Sequence, residues 1–154
     1  MDPRWRCSEC GFELWLPIAE LTTGVLGLYN DARFPGRCIF ALREHHEDLA
    51  ALSDSLLFSY AREATRSASA IRIAVGSSRI NYAVLGNAEP HVHFHLIPRF
   101  PETEPKPRNS PWDDPRPKAE LTPSELRRIR YAIGEALELR SADVSLKDLA
   151  DESG

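Results

Sequence analysis

The chain has no apolar run approaching the roughly 20 residues of a membrane-crossing helix, and Met1-Asp2-Pro3-Arg4 leads into no secretory hydrophobic region. A cytoplasmic protein without a membrane partner is the expectation. It has only three cysteines, too few for the disulfide framework of a small secreted domain. Positive charge is not in excess either: 19 Lys and Arg stand against 23 Asp and Glu, a net charge of -4 with both signs mixed along the chain. That balance argues against nucleic acid as a partner, and Arg127, Arg128 and Arg130 read as a solvated helix face rather than a phosphate patch. No GxxxxGK[ST] and no GxGxxG occurs, so neither a P-loop nor a dinucleotide-binding turn is encoded.

What is present suffices for one domain: 154 residues of which 42% are apolar. Residues 12–43 read as short extended stretches, "FELWLPIAEL", "GVLGLYN" and "RCIFALRE", broken by Thr22-Thr23-Gly24 and by "NDARFPG". From Ser53 to Ala74 apolar residues recur at helical spacing (Leu56, Leu57, Tyr60, Ala64, Ala68, Ile71), and Ser53 or Asp54 can cap the start. Two further strand-like runs, "RINYAVLG" and "HVHFHLIPR", flank the turn "GNAEP". Residues 101–120 hold six of the twelve prolines and read as an irregular segment, a lid or a surface strap, barred from a sheet interior. A C-terminal helix over 121–140 is predicted by Thr122 as N-cap, Pro123 at the first helical position and Glu125 closing a capping box. The tail 141–154 is expected to fray.

The chemistry concentrates in "HVHFHLI", which puts His91, His93 and His95 on one strand face and Val92, Phe94 and Leu96 on the other. One ion cannot easily engage all three: His91 and His95 lie roughly 13 Å apart at about 3.3 Å of rise per residue, whereas metal–nitrogen bonds are about 2.1 Å. Two of them can still share an ion, and ordinary half-exposed histidines are the plain alternative. A row of imidazoles suits displacement at phosphorus, because a neutral imidazole has a lone pair that can attack while a neighbour hydrogen-bonds an anionic oxygen. No catalytic cofactor is required for that division of labour.

His91-Val92-His93-Phe94-His95-Leu96-Ile97 resembles the signature of the histidine-triad (HIT) superfamily of nucleotide hydrolases and transferases, His-φ-His-φ-His-φ-φ with φ apolar. "LYNDARFPGRCIFALREHHEDLAALSD", the long helix and "INYAVLGNAEPHVHFHLIPRF" follow in the family's order, so the resemblance spans roughly residues 5–100 of a core expected over 1–100. It implies an α+β fold, a five-stranded antiparallel sheet with one long helix and a C-terminal helix, commonly as a homodimer. It implies cleavage of a nucleoside 5′-phosphate conjugate, usually of adenine, through a nucleotidyl-histidine. His93 resembles the nucleophile and His95 the residue on the phosphate oxygens. His91 would orient His93 or bind a metal. Asn81 resembles the amide near the scissile bridge, Asn87 lies in the turn that approaches the phosphate, and Asn30 or Asp31 resembles the ribose-binding residue. Many members carry a fourth histidine after the Pro-Gly-like turn; Arg37 stands there in this chain and can supply phosphate charge or point to solvent, but not act as a base.

Cys7-Ser8-Glu9-Cys10 has the spacing of a zinc knuckle, which needs two more ligands. Reduced thiols or a redox pair are the alternatives, although Gly11 leads into strand-like residues rather than the helix of a thioredoxin-type site. Some members of the resembled family complete such a site with a histidine after the third strand and the first triad histidine. That pattern nominates Cys7, Cys10, His45 and His91 for a structural zinc.

Overall fold

The computed structural model describes residues 4–151, with side chains described as far as residue 139. Its centre is an antiparallel five-stranded sheet of β3 (Pro17–Glu20), β4 (Gly24–Leu28), β5 (Cys38–Leu42), β6 (Arg79–Ala83) and β7 (His93–Arg99), in the spatial order β3-β4-β5-β7-β6. Ahead of it, β1 (Trp5–Arg6) and β2 (Glu13–Leu14) form a separate two-stranded ribbon. The stretch "FELWLPIAEL" is therefore divided at Trp15-Leu16 between two sheets, where the sequence suggested one run. An α+β architecture with a five-stranded antiparallel sheet is what the structure shows.

The helix α1 (Asp54–Val75) carries the chain from β5 to β6. Ser53 caps it by accepting from the Leu56 N–H, and Gly76 ends it in the left-handed region at φ 66°. The helix α2 (Pro123–Asp151) opens with the expected capping box: Thr122 N–H donates to Glu125, and Glu125 N–H donates back to the Thr122 hydroxyl. Its backbone stays helical past the end expected at 140, since no proline or glycine interrupts residues 135–151; residues 152–154 lie outside the described residues.

Alternation along the strands gives the sheet two unlike faces. Leu26, Leu28, Phe40, Leu42, Phe94 and Leu96 turn toward α1 and α2, where they meet Tyr60, Ala64, Ala68, Ile71, Ile129 and Ile133. The buried Tyr60 hydroxyl donates to the Phe40 carbonyl at 2.6 Å, and the two rings stack 5.1 Å apart. Gly24 keeps this layer close, because a Cβ there would lie 2.5 Å from the Phe40 ring. On the other face Val25, Ile39 and Ala41 are covered by Cys7, Phe12 and Leu14 of the ribbon, with Trp5 packed alongside.

Candidate active site and metal centre

The histidines occupy the ribbon-covered face because of register. Ala41 pairs with His93 and Ile39 with His95, so both imidazoles rise where β5 presents small or β-branched side chains. His91 precedes β7, tied in through Val92, whose N–H donates to the His46 carbonyl and whose carbonyl accepts from the Leu42 N–H. This pairing runs His45-His46 alongside residues 91–92 and brings His45 against His91.

Cys7, Cys10, His45 and His91 converge: their ligand atoms all lie within 4.8 Å of one another. Cys7 Sγ is 3.8 Å from His45 Nδ1, Cys10 Sγ is 3.4 Å from His91 Nδ1, and the two Nδ1 atoms are 3.4 Å apart. Zinc bonds of about 2.3 Å to sulfur and 2.1 Å to nitrogen require tetrahedral edges of about 3.4–3.8 Å, so the donor set fits that ion. The His91 tautomer fits as well. Its Nε2 lies 2.7 Å from the Leu42 carbonyl, which can only accept, so Nε2 carries the proton and Nδ1 turns its lone pair to the cluster. Burial, together with the neighbouring charges of His45, His93 and His46, holds the His91 imidazole below its usual range despite the Leu42 hydrogen bond, and thereby favours the neutral, ligating form.

His93 is oriented by the same logic. Its Nδ1 sits 2.6 Å from the His91 carbonyl, so Nδ1 is the protonated nitrogen and Nε2 is left with a free lone pair. Phe12 stacks on both His91 and His93, at 5.1 and 4.8 Å between ring centroids. The His95 ring lies 5.0 Å from His93, edge-on. Burial and the charges of His93 and Arg37 push His95 down to about 4, so it is neutral at physiological pH, and its buried Nδ1 has no partner among the described residues. His93 and His95 form one wall of a pocket of about 550 Å³ that is lined further by Phe12, Trp15, Tyr29 and Asn30. Ring-bearing walls around two imidazoles offer stacking for a flat heterocycle and hydrogen bonding for an oxyanion.

The other nominated residues separate by position. Asn30 lines the pocket, while its Oδ1 accepts from the Leu121 N–H and ties down the approach to α2. Asp31 is buried beneath arginines: Arg33 donates to it through its backbone N–H, Nε and Nη2, and Arg37 through Nη1. Burial opposes the Asp31 charge, yet those hydrogen bonds and charges outweigh it and hold the carboxyl below its usual range. Arg37 does not point to solvent; it is buried beside Asp31 with its guanidinium over the Tyr29 ring. Asn81, opposite Ile97 on β6, accepts from Arg99 at 2.6 Å. Asn87 stands exposed on its turn, and Glu89 from the same turn reaches the pocket instead.

Sequence reasoning passed over Phe12, the Arg99–Glu104 pair and Trp112 as site residues. The proline-rich segment is a strap: Ala119 O accepts from Ala32 N–H, Arg116 donates to the Arg33 carbonyl, and buried Glu104 takes Arg99 and the Phe100 N–H. A 3-10 turn at Pro111–Asp113 in this strap sets Trp112 edge-on to His95, at 5.3 Å between ring centroids. The only trace of this in the sequence is a tryptophan between prolines, which has no periodicity to place it.

The model of the HIT domain family matches residues 19–102. No curated protein matches the chain. Among solved structures, a histidine triad (HIT) protein from Sinorhizobium meliloti 1021 is 24% identical with a TM-score of 0.71, over 79% of this chain and 88% of that one. A Zn-bound histidine triad family protein from Mycobacterium smegmatis is 20% identical with a TM-score of 0.56, over 82% and 86%. The diadenosine triphosphate hydrolase of Plasmodium falciparum is 10% identical with a TM-score of 0.57, over 92% and 87%. At these identities the structural likenesses speak for the fold.

Proposed function

This chain belongs to the HIT domain family, and from that premise we propose that it is a nucleotidyl hydrolase or transferase acting at the α-phosphate of a nucleoside 5′-phosphate conjugate, with adenine as the base. The observation that carries this reading is the 2.6 Å contact between His93 Nδ1 and the His91 carbonyl, which leaves Nε2 as an attacking lone pair in a pocket it shares with His95. In the first step Nε2 forms a bond to the α-phosphorus, and the bond to the leaving group breaks with its electron pair departing on that group. The nucleotidylated imidazole is cationic with its proton on Nδ1, and the His91 carbonyl dipole stabilises it there. In the second step a water oxygen bonds to phosphorus, the N–P bond breaks with its pair returning to Nε2, and nucleoside monophosphate leaves with one of the water's protons while the other passes to solvent. His95 acts on the phosphate oxygens in both steps, as a neutral hydrogen-bond donor.

Cys7, Cys10, His45 and His91 would hold a structural zinc. With zinc bound, these residues would cross-link the ribbon, the chain after β5 and the entry to β7. The ribbon in turn seats Phe12 on the nucleophile. Asn30 is the ribose-facing residue of this reading, and a homodimer is its expected assembly, checked by light scattering.

Intact-mass measurement tests the mechanism. Wild type and His93→Ala are mixed briefly with a fluorogenic adenosine phosphoramidate and with a diadenosine polyphosphate, and product is followed in parallel. Turnover with a transient gain of one nucleotidyl group, absent in His93→Ala, is the expected result. Tight AMP binding without product in either case would instead make the protein a nucleotide-binding module. Faster turnover on adding phosphate would make it a phosphorylase, and activity lost with the metal but unaffected by His93→Ala would point to metal chemistry.

A further inference from the structure

Away from the histidines, positive charge is concentrated around one buried ring. Phe34 is fully buried, and the guanidinium carbons of Arg33, Arg99 and Arg116 lie 5.7, 5.8 and 5.6 Å from its centroid. The carboxylates that answer them are Asp31, Glu104 and Asp114, but Asp31 is divided between Arg33 and Arg37. Arg128 adds a further cation from α2. It has no hydrogen bond among the described residues, and Glu125, one turn earlier, is taken by the Thr122 cap.

These cations border a cavity. Arg33, Arg116 and Arg128 line a space of about 450 Å³ together with the apolar Ala32, Val75, Phe100 and Ile129. The three arginines come from the turn after β4, from the proline-rich strap and from α2. Arg33 engages Asp31 through Nε and Nη2, Arg116 engages Asp114 and the Arg33 carbonyl through the same two atoms, and neither Nη1 has a hydrogen bond among the described residues. The strap is thus pinned with its arginine beside Arg33 while both keep a donor unengaged. A cleft bordered by charge of one sign and by apolar walls concentrates ions of the other sign. No residue of this cavity lines the pocket that holds His93 and His95.

We infer that the cavity is a second ligand site, for a small organic phosphate whose dianionic head meets Arg33, Arg116 and Arg128 and whose compact apolar body lies against Ala32, Val75, Phe100 and Ile129. Guanidinium forks match pairs of phosphate oxygens. A phosphate monoester carries nearly two negative charges at neutral pH, enough to balance both Arg128 and the cation left over where Arg33 and Arg37 share Asp31. A monocarboxylate would balance only one of them. Binding here requires nothing of His93 or His95.

Nitrogen–proton correlation spectra of the isotope-labelled full chain test the site, with phenyl phosphate, inorganic phosphate and phenol titrated in low salt above the second phosphate pKa of about 6. Phenyl phosphate is expected to shift the amides of Ala32, Arg33, Thr103 and Ile129 saturably, inorganic phosphate to bind more weakly, and phenol to leave them unmoved. Arg128 is exposed, so Arg128→Gln does not put folding at stake; it should weaken phenyl phosphate by about fivefold, the upper range for an ion pair open to solvent. Arg127→Gln removes the same charge from a side chain that lines a different groove, and should leave the affinity unchanged. Equal effects of the two variants, including none, overturn the inference, as do shifts confined to Phe12, Tyr29 and His93. Phenol or inorganic phosphate binding as tightly as phenyl phosphate also overturns it, and so does a lack of saturable shifts at the four amides up to about 10 mM.

Discussion

The two faces of the five-stranded sheet are held by different physics. On one, Phe40, Phe94, Leu26, Leu42 and Leu96 pack against two long helices, an apolar layer with the Tyr60–Phe40 hydrogen bond inside it. On the other, a ribbon of two-residue strands covers Val25, Ile39 and Ala41. Such a short hairpin cannot hold itself in water. Four convergent cysteine and histidine ligands stand at its base. The helix face closes on its own packing, whereas the ribbon face, where His93 and His95 lie, brings together four side chains that could hold a cross-linking metal ion.

The strongest test of this contrast falls on the helix face. Phe40→Ala empties space beneath Tyr60 and Phe94. A buried phenylalanine cut to alanine costs about 3–5 kcal/mol, and at about 2–4 °C per kcal/mol for a domain of this size the melting temperature should drop by about 10 °C. A drop below about 3 °C in scanning calorimetry would show that the helix layer is not the principal store of stability.

Metal removal should act on the other face alone. The protein as purified is expected to carry about one zinc per chain by elemental analysis, and chelation or Cys7→Ser should deprotect backbone amides of residues 4–16 and 89–93 while those of α1 remain protected in hydrogen exchange. Equal loss of protection in α1 would join the two faces into one cooperative unit.

A finer cut on the helix side is Tyr60→Phe, which keeps the ring and removes only the hydroxyl bonded to the Phe40 carbonyl. The strand ladder still serves that carbonyl, so the expected loss is about 1 kcal/mol in urea unfolding. A loss near that of Phe40→Ala would mean the hydroxyl, not the ring, organises the layer.

The same contrast explains what was legible in the sequence. Spacing of Tyr60, Ala64, Ala68 and Ile71, the Ser53 cap and the Thr122–Glu125 box are local signals, and each element they announced is present. The histidine face followed from strand alternation, and the nomination of Cys7, Cys10, His45 and His91 from the resemblance; the structure brings these four together. Contacts between parts distant in sequence were not legible. Phe12 on His93 depends on a strand break at Trp15-Leu16 that only Pro17 marks, and Trp112 near His95 depends on where a proline-rich strap is pinned by Ala32 and Arg33. Sequence alone leaves Arg37 between supplying phosphate charge and pointing to solvent, because its partner, Asp31, lies across a turn whose path it does not fix.

A last effect emerges only in acid: a pH slope belonging to the ribbon face. His95 is pushed down to about 4 by burial and by the charges of His93 and Arg37, whereas an unfolded histidine titrates near 6.5. Between those values the unfolded chain takes up a proton that the folded protein refuses, so His95 withdraws stability as pH falls from about 6.5 to 4 and is neutral in its effect above that window. One proton limits the slope to about 1.4 kcal/mol per pH unit. His95→Gln, which cannot titrate, should therefore show a shallower decline of its urea midpoint than wild type between pH 6.5 and 4, with the two curves parallel above pH 7. Parallel curves throughout would mean that His95 accepts its proton in the folded state as readily as in water, and the ribbon face would then be wetter and looser than its packing against Phe12, Ile39 and Ala41 implies.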